Sequence, residues 1–516
     1  MGKVITPENM KKSIAQLLFF VSCICSGLSF AQGADYADLY YNNDLEKNPG
    51  KWDHGILDDA KNWNVGSVDG PVSESKPSAS DNLWIEAAII GQTGFVTGWN
   101  GNMDFHDFNM SLALTTESAD LISNVENQTV TAWGDMNFAV KPVDGGWGRQ
   151  TNILMEDNSV YRIKGDVNLD ITGRTNFKIR AVADYGDDPW PVTNISQNSS
   201  FIVDGNFNVV QNQRNGEYET LALEINASNF MVSGVMDVTQ KSQGSVSLDL
   251  KYTYGANMQT ASDCSFDSNI SLGGLKGDAN LLVSDVYAGA AGRAVYLEFS
   301  NASSSEWSGS FSNDTGLKMH LLMLGASSGS QTMRFQSGAF DSVTVSSGSL
   351  NLYSAENMGA LRINGASARL GIVGQNSTSG YSTLKFSSAE WQSGSIEFDI
   401  AAYGMNDALA IDGAFNKTSN ASNLVIELNV SAYDLGLWLD EEGVEYLDFD
   451  LITFGSTNIG KEDISVLTQD RVFCEILALD SGKLTARLSL QVPEPAAIAS
   501  IFGFLALGLG ALRRRR

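Results

Sequence analysis

The chain has 516 residues, of which 60 are acidic and 33 basic, and a formal net charge of −27. Nucleic acid and anionic lipid repel so acidic a protein, and the composition therefore excludes both as expected partners. Its four cysteines are too few for a disulfide scaffold. Stability has to come from the large apolar core that a chain of this length can bury.

The N-terminus has the parts of a secretory signal peptide. Lys11 and Lys12 precede an apolar stretch, and a small-x-small triplet ends at Ala31. This pattern predicts that signal peptidase cleaves between Ala31 and Gln32 and removes residues 1–31. An uncleaved N-terminal anchor is the alternative.

Residues 32–80 form a tryptophan-rich opening segment. Trp52 and Trp63 flank a short acidic sequence. We expect these two side chains to cap one end of an apolar core, and sugar binding is the alternative. The stretch from 65 to 80 is rich in Ser, Pro and Gly, which predicts a loop or linker.

The body, residues 81–490, has the pattern of an all-β protein. There is no proline between Pro191 and Pro493, and short alternating runs recur, such as SVSLDLKY at 245–252 and NLVIELNV at 423–430. Proline removes a ladder hydrogen bond, so paired strands exclude it. Alternation places one face of each strand inward and the other outward.

An internal repeat runs through the first part of this body. Four segments share a strand, a glycine and a second alternating strand: 127–140, 158–171, 198–211 and 227–240, with Gly134, Gly165, Gly205 and Gly234. Residues 261–274 form a degenerate fifth copy, with Ser268 at the glycine position. Two or three strands in roughly 30–40 residues predict an elongated β-solenoid whose glycines let the chain bend between two faces. A tandem of β-sandwiches is the alternative.

The sequence contains no recognisable catalytic motif. His54, His106 and His320 are far apart and lack metal-binding spacing. The paired carboxylates at 58–59 and 440–442 could provide the two acidic groups that glycoside hydrolysis uses. In a chain with 60 acidic residues, however, their presence does not identify a site. We therefore predict no catalytic, cofactor-binding or metal-binding residues, and no enzyme.

One alternating acidic run resembles the start of a calcium loop. Asp166, Asn168 and Asp170 would place three oxygen-bearing side chains on one strand face. The run lacks the glycine and the distal glutamate of such loops. It predicts a solvated strand face.

Two cysteines, Cys264 and Cys474, remain in the body after the predicted cleavage. Their separation corresponds to roughly five to seven solenoid coils, or some 25–30 Å at the strand spacing of about 4.8 Å. A disulfide needs Cα atoms within about 7 Å. The solenoid therefore predicts two free thiols, unless the C-terminal strands fold back against earlier coils.

The last residues, 491–516, contain three features in a fixed order: the triplet Pro493-Glu494-Pro495, an uncharged apolar stretch from Ala496 to Leu512, and Arg513, Arg514, Arg515 and Arg516. As a transmembrane helix the stretch would be roughly 26 Å long, near the short limit for a membrane span. The arginines would hold its end on the cytoplasmic side.

This tail resembles the PEP-CTERM sorting signal of Gram-negative bacteria. The resemblance implies export, a transient inner-membrane intermediate and processing by an exosortase. The protein would then reach the outer surface or the extracellular matrix.

The body has a second resemblance. The Trp-Asp to Asn-Trp opening at 51–64, and a closing segment at 394–415 followed by 447–454, are similar to autotransporter-associated β-repeat proteins. That family implies a right-handed β-helix. Since PEP-CTERM proteins are exported alongside exopolysaccharide, the resemblances imply a structural or adhesive protein with exopolysaccharide or a surface glycan as partner. The alternative is a polysaccharide-acting β-helix lyase or hydrolase.

Overall fold

The computed structural model describes residues 36–491 with internal gaps, the longest of which are 42–56, 182–198, 250–267 and 284–293. The predicted signal peptide with Ala31 and Gln32, the triplet Pro493-Glu494-Pro495, the apolar stretch and the four arginines lie outside the described residues. Within the described part, no helix is both long and apolar enough to cross a membrane.

The described chain is mostly β. Its first four strands are β1 Ala37–Tyr41, β2 Trp63–Val65, β3 Asp81–Ile89 and β4 Phe95–Trp99, with a 3₁₀ turn at Ala60–Asn62. Seven units of three strands follow: β5 Met103–Phe105, β6 Phe108–Leu114, β7 Ser118–Ser123; β8 Thr129–Ala132, β9 Met136–Pro142, β10 Arg149–Met155; β11 Val160–Ile163, β12 Val167–Thr172, β13 Thr175–Ala181; β14 Ser200–Val203, β15 Phe207–Asn212, β16 Leu221–Asn226; β17 Asn229–Val232, β18 Met236–Gln240, β19 Val246–Asp249; β20 Ser268–Leu272, β21 Leu275–Gly277, β22 Asn280–Val283; β23 Ala294–Phe299, β24 Ser304–Trp307, β25 Phe311–Asn313.

The C-terminal third has longer strands and one α-helix. Its elements are β26 Lys318–Leu324, β27 Ser330–Met333, β28 Ser342–Leu352, β29 Ala355–Ile372, β30 Thr383–Ala402, β31 Met405–Asn406, β32 Ala408–Lys417, β33 Leu424–Asn429, α1 Ala432–Glu442, β34 Leu447–Thr457, a 3₁₀ turn at Lys461–Asp463, β35 Ile464–Thr468, β36 Val472–Ile476 and β37 Lys483–Leu490. The long strands β28 to β30 contain register shifts, and each continues through two of the ladders described next.

Each unit lies in parallel register on the unit before it. Strand β8 pairs with β11, β9 with β12 and β10 with β13, and the pattern repeats along the chain. Three parallel ladders result: a first ladder through β5, β8 and β11, a second through β6, β9 and β12, and a third from β4 to β25. The alternative of tandem β-sandwiches requires antiparallel sheets, which these ladders are not.

The core lies between the ladders, because alternate residues of every strand point inward. In β11 and β14 the second and fourth residues are buried and the others are not. Inward rings stack from unit to unit: Tyr161 lies 6.2 Å from Phe201, and Phe201 lies 5.9 Å from Phe230, with nearly parallel planes. The Tyr161 hydroxyl accepts a 2.8 Å hydrogen bond from Trp99 Nε1, so this buried polar group is satisfied.

The repeated glycines form the bend between the first and second ladders. Gly165 N donates to Gly134 O at 2.9 Å, Gly205 N to Gly165 O at 3.1 Å, and Gly234 N to Gly205 O at 2.9 Å. A Cβ on Gly165 would lie 2.7 Å from Gly134 O, closer than atoms can approach. Close backbone contact between units therefore requires glycine here, as the repeat predicts.

The polar residue that follows Gly134, Gly165 or Gly205 connects its unit to the next one. Asp135 Oδ1 accepts from the backbone N–H of Asp166 at 2.7 Å, and Asp166 Oδ1 accepts from that of Asn206 at 2.7 Å. Asn206 Oδ1 continues the series by accepting from Val235 N at 2.9 Å. A short acceptor side chain is needed because the donor is only one strand spacing away.

The predicted alignment of the fifth copy is wrong. Ser268 begins β20 and pairs with Val295, so it is a strand residue and not the bend. The bend of this unit is formed by Gly273 and Gly274, where Gly273 N donates to Val232 O at 2.7 Å. This bend has two residues, whereas the bends of the four aligned copies have three.

Both ends of the stack are covered. Trp63 is fully buried beside the N-terminal strands, packs edge-on against Tyr41 at 5.5 Å, and donates from Nε1 to Leu57 O at 2.7 Å. A ring buried in this way cannot stack on a sugar, which rules out that alternative for Trp63. Trp52 lies outside the described residues.

At the C-terminal end the chain reverses direction. Strand β37 pairs antiparallel with β34 and β36, while α1 buries Leu435 and Leu439. Ser431 caps the N-terminus of α1, where its Oγ accepts from Asp434 N, and Gly443 in the left-handed conformation caps the C-terminus. Cys474 in β36 is half-buried and forms no disulfide with a residue that the structure describes. Because Cys264 lies outside the described residues, its distance from Cys474 stays a prediction.

Candidate functional site

One line of outward-facing residues runs along the second ladder in unbroken register. We call it the outer row, and it consists of Tyr40, Trp84, Asn109, Asn137, Asn168, Asn208, Asp237 and Lys276. Beyond Lys276, whose neighbour Gly277 pairs with Trp307, the row continues through Glu306, Thr332, Asn351, the buried Gly371, Glu397, Glu427 and Leu467. The distance from Trp84 to Asn208 is four strand spacings, or roughly 19 Å.

The central part of the outer row is a ladder of asparagine amides. Asn137 Nδ2 donates to Asn109 Oδ1 at 2.9 Å, Asn168 to Asn137 at 2.8 Å, and Asn208 to Asn168 at 2.9 Å. An amide has two N–H donors and two acceptor lone pairs, and the ladder uses one of each. The four half-buried side chains are therefore held rigidly, with hydrogen-bonding capacity left toward solvent.

Trp84 closes the N-terminal end of this ladder. Its Nε1 donates to Asp38 Oδ1 at 3.1 Å, and Asn82 Nδ2 donates to the same oxygen at 3.1 Å. The Tyr40 ring stacks behind the indole at 6.0 Å, with planes 13° apart. These contacts fix the orientation of a half-exposed tryptophan at the outer surface.

Trp84 and the asparagines border a surface groove with a volume of about 270 Å³. Its other side is a second row, defined as Glu86, Ser111, Ala139 and Asp170, in register on the same strands. The small side chains in the middle of the second row make the depression. We call this depression, with the two rows beside it, the amide groove.

The two carboxylates of the amide groove are too far apart for glycoside hydrolysis. Glu86 and Asp170 are separated by three strand spacings, roughly 14 Å. Glycosidases hold their two carboxyl groups about 5 to 9.5 Å apart. The geometry of the groove fits binding rather than this chemistry.

The predicted acidic run at 166–170 does not form one face. Asp166 lies in the bend and is committed to Asn206 N, whereas Asn168 and Asp170 point outward from β12. Among the residues that the structure describes, no three His, Cys, Asp or Glu side chains are arranged to hold a metal ion.

Two of the three histidines lie on the outer surface of the ladders. His320 Nδ1 is 2.7 Å from Ser342 Oγ, and its ring stacks on Tyr296 at 5.0 Å. The pair meets only because β26 and β28 are adjacent in the first ladder, so sequence spacing did not indicate it. In the described part, no carboxylate hydrogen-bonds to His320, as an acyl-transfer triad would require.

His106 lies near the N-terminal end, 3.2 Å from Asn82 Oδ1 and 3.1 Å from Asp107 Oδ1, with Tyr36 against its ring. His54 lies outside the described residues. Only His106 contacts Asn82, which shares the Asp38 carboxylate with Trp84, and the two described histidines do not share a site.

The paired carboxylates noted in the sequence have local roles or are solvated. Asp59 caps the first 3₁₀ turn by accepting from Lys61 N at 3.0 Å, and Asp58 lies outside the described residues. Residues 440–442 are exposed at the end of α1. They do not converge on a cavity.

A buried acid that sequence reasoning missed is Asp407, between β31 and β32. It is fully buried, and its carboxylate accepts from Ser382 N and from Asp399 N, both at 2.9 Å. Burial raises the pKa of Asp407 to about 7, and the charges of Asp399 and Glu397 act in the same direction against the two backbone donors. Asp407 joins two chain segments and does not line the amide groove.

The comparisons with known proteins do not identify this site. A scan against protein-family models gives no match, and a search of curated proteins gives none either.

Proposed function

We propose that the protein is an exported structural or adhesive component of the cell surface or extracellular matrix, built as an elongated β-solenoid of the right-handed β-helix type. The observation that carries the proposal is the unbroken register of the outer row from Tyr40 to Leu467. A stack whose outer row consists mostly of polar side chains suits a scaffold or an extended binding surface better than a single reaction centre.

The terminal sequences support the location. Residues 1–31 have the features of a signal peptide, and residues 491–516 resemble a PEP-CTERM tail. Signal peptidase, the inner membrane and an exosortase are accordingly the proposed partners during export. The last described strand, β37, ends at Leu490, immediately before the tail.

The proposed alternative, a polysaccharide-acting enzyme, has weaker support. Its best candidate groups are Glu86 and Asp170, which are roughly three strand spacings apart, and the contact between His320 and Ser342. Neither has the complete set of groups that hydrolysis by carboxylates or acyl transfer needs.

The location is tested by replacing Pro493, Glu494 and Pro495 with alanine in the producing organism. We expect the parent protein at the surface to begin near Gln32 and end near Pro495, and the variant to remain full-length in the inner membrane. Intact-mass spectrometry of each fraction measures both ends. The double variant Pro71→Ala/Pro77→Ala is the control and should be processed like the parent. Surface protein that retains Arg516 would contradict the proposal.

A further inference from the structure

We infer that the amide groove binds a neutral polysaccharide chain that lies along the outer row. This rests on the proposed function and deepens it, because it assigns the adhesive contact to named residues and to one class of ligand. Three properties of the groove carry the inference: an aromatic wall, a rigid amide ladder and the sign of its charge.

The aromatic wall suits the apolar face of a sugar ring. Trp84 lines the groove, and hydrogen bonding to Asp38 and stacking on Tyr40 hold its indole in place. A ring fixed before binding loses little conformational entropy when a ligand packs on it. Amphipathic aromatic side chains are well suited to binding surfaces because they offer a large apolar area that remains partly hydrated.

The amide ladder suits the hydroxyl groups of the same ligand. Asn109, Asn137 and Asn168 line the groove at successive strand spacings of about 4.8 Å. Sugar hydroxyls both donate and accept, and each amide presents a free donor and a free acceptor position. Because the ladder hydrogen bonds already orient the amides, they need not be reordered on binding.

The shape of the groove favours a polymer over a single sugar. Its volume of about 270 Å³ is below the roughly 300–1,000 Å³ of enclosed small-molecule pockets. The amide ladder also continues past the groove to Asn208. A chain lying parallel to the solenoid axis can use every amide, whereas a monosaccharide reaches one or two.

The charge of the groove selects against acidic polysaccharides. Glu86 and Asp170 line it, and no Lys or Arg is among the described residues that do. The whole chain has a net charge of −27. A uronic acid polymer would bring further negative charge to this acidic surface.

The test is affinity electrophoresis of the full-length protein in native gels that contain hydroxyethylcellulose, dextran, galactomannan or alginate. We expect retardation by at least one of the three neutral polymers and none by alginate. Trp84→Ala should weaken the retarding interaction at least tenfold. Ala139→Gln should do the same by filling the groove while removing no contact. Trp133→Ala, which removes another exposed tryptophan, is the matched control and should bind like the parent.

Each outcome decides the inference separately from the proposed location. Retardation that survives both Trp84→Ala and Ala139→Gln, or retardation by alginate alone, overturns it. The inference is also overturned if none of the neutral polymers changes the electrophoretic mobility of the protein. That result would leave the proposed terminal processing and surface location untouched, because mass spectrometry tests them separately. Far-UV circular dichroism of each variant separates lost binding from lost folding.

Discussion

Asp407 provides the sharpest test of the buried electrostatics in this fold. Its carboxylate is fully buried and accepts two backbone hydrogen bonds of 2.9 Å. Burial raises its pKa from 3.8 to about 7. The native state therefore binds a proton that the unfolded chain has released between pH 4 and pH 7.

The sign of the resulting stability change follows from this difference. As pH rises from about 4 to about 7, the stabilising protonation is progressively lost, and above pH 7 the contribution is constant. Each pKa unit corresponds to about 1.4 kcal/mol. The shift to about 7 therefore amounts to a loss of about 4 kcal/mol in the free energy of unfolding across this window.

Asp407→Asn should remove the pH dependence, since an amide keeps the shape of the protonated acid and does not ionise. At pH 4.5 the variant and the parent should be similar in stability, within the roughly 1–3 kcal/mol that a mismatched buried hydrogen bond costs. Between pH 4.5 and pH 8 the difference between them should move by about 3 kcal/mol in favour of the variant, because the rest of the change falls below pH 4.5.

Urea denaturation followed by tryptophan fluorescence at pH 4.5, 6 and 8 measures this difference. Hydrogen exchange at the amides of Ser382 and Asp399 reports the same site locally. The exposed Asp412→Asn is the matched control and should show no such change. The reasoning is refuted if the difference between parent and Asp407→Asn does not vary with pH. It is also refuted if the parent gains relative stability at pH 8, as it would if the backbone donors outweighed burial.

Three further predictions concern the stack. Gly165→Ala should destabilise the protein by several kcal/mol, because its Cβ would lie 2.7 Å from Gly134 O. The control Gly443→Ala meets no atom within 4 Å and should cost only about 1 kcal/mol for its left-handed backbone. Thermal unfolding that ranks the two variants the other way would contradict the close-contact argument. Asn137→Ala interrupts the amide ladder on both sides and should cost about 1–3 kcal/mol in urea denaturation, and an unchanged midpoint would mean that water replaces the ladder bonds. Burial raises the pKa of the Cys474 thiol to about 12, so iodoacetamide at pH 8 should label it only after unfolding, and rapid labelling of the native protein would show that the strand opens.

Part of the fold could be predicted because its contacts repeat along the chain. Alternating runs predict strands, and the glycines at Gly134, Gly165 and Gly205 predict bends, since each unit makes the same contact with its neighbour that the previous unit made. A contact repeated in this way leaves a repeated sequence. The sorting tail and signal peptide are also local patterns, and they stay predictions.

The fifth copy marks where such periodic reasoning ends. The sequence pattern places Ser268 at the bend, whereas Ser268 begins strand β20 and the bend lies five residues later, at Gly273. The chain between strands also varies in length from one unit to the next. Register between units is set by inward packing and backbone pairing, which a single strand does not encode.

The candidate site was decided by the tertiary structure alone. Asn109, Asn137 and Asn168 are unremarkable as separate residues, and they form one ladder only when successive units come into register. Trp84 forms one side of the amide groove because its indole is held by a hydrogen bond to Asp38, which is far away in the sequence. By itself the sequence determines which faces of the strands are apolar and where the chain can bend. Which polar side chains become neighbours depends on how the units stack, because outward positions are free of the packing constraint that makes the core periodic.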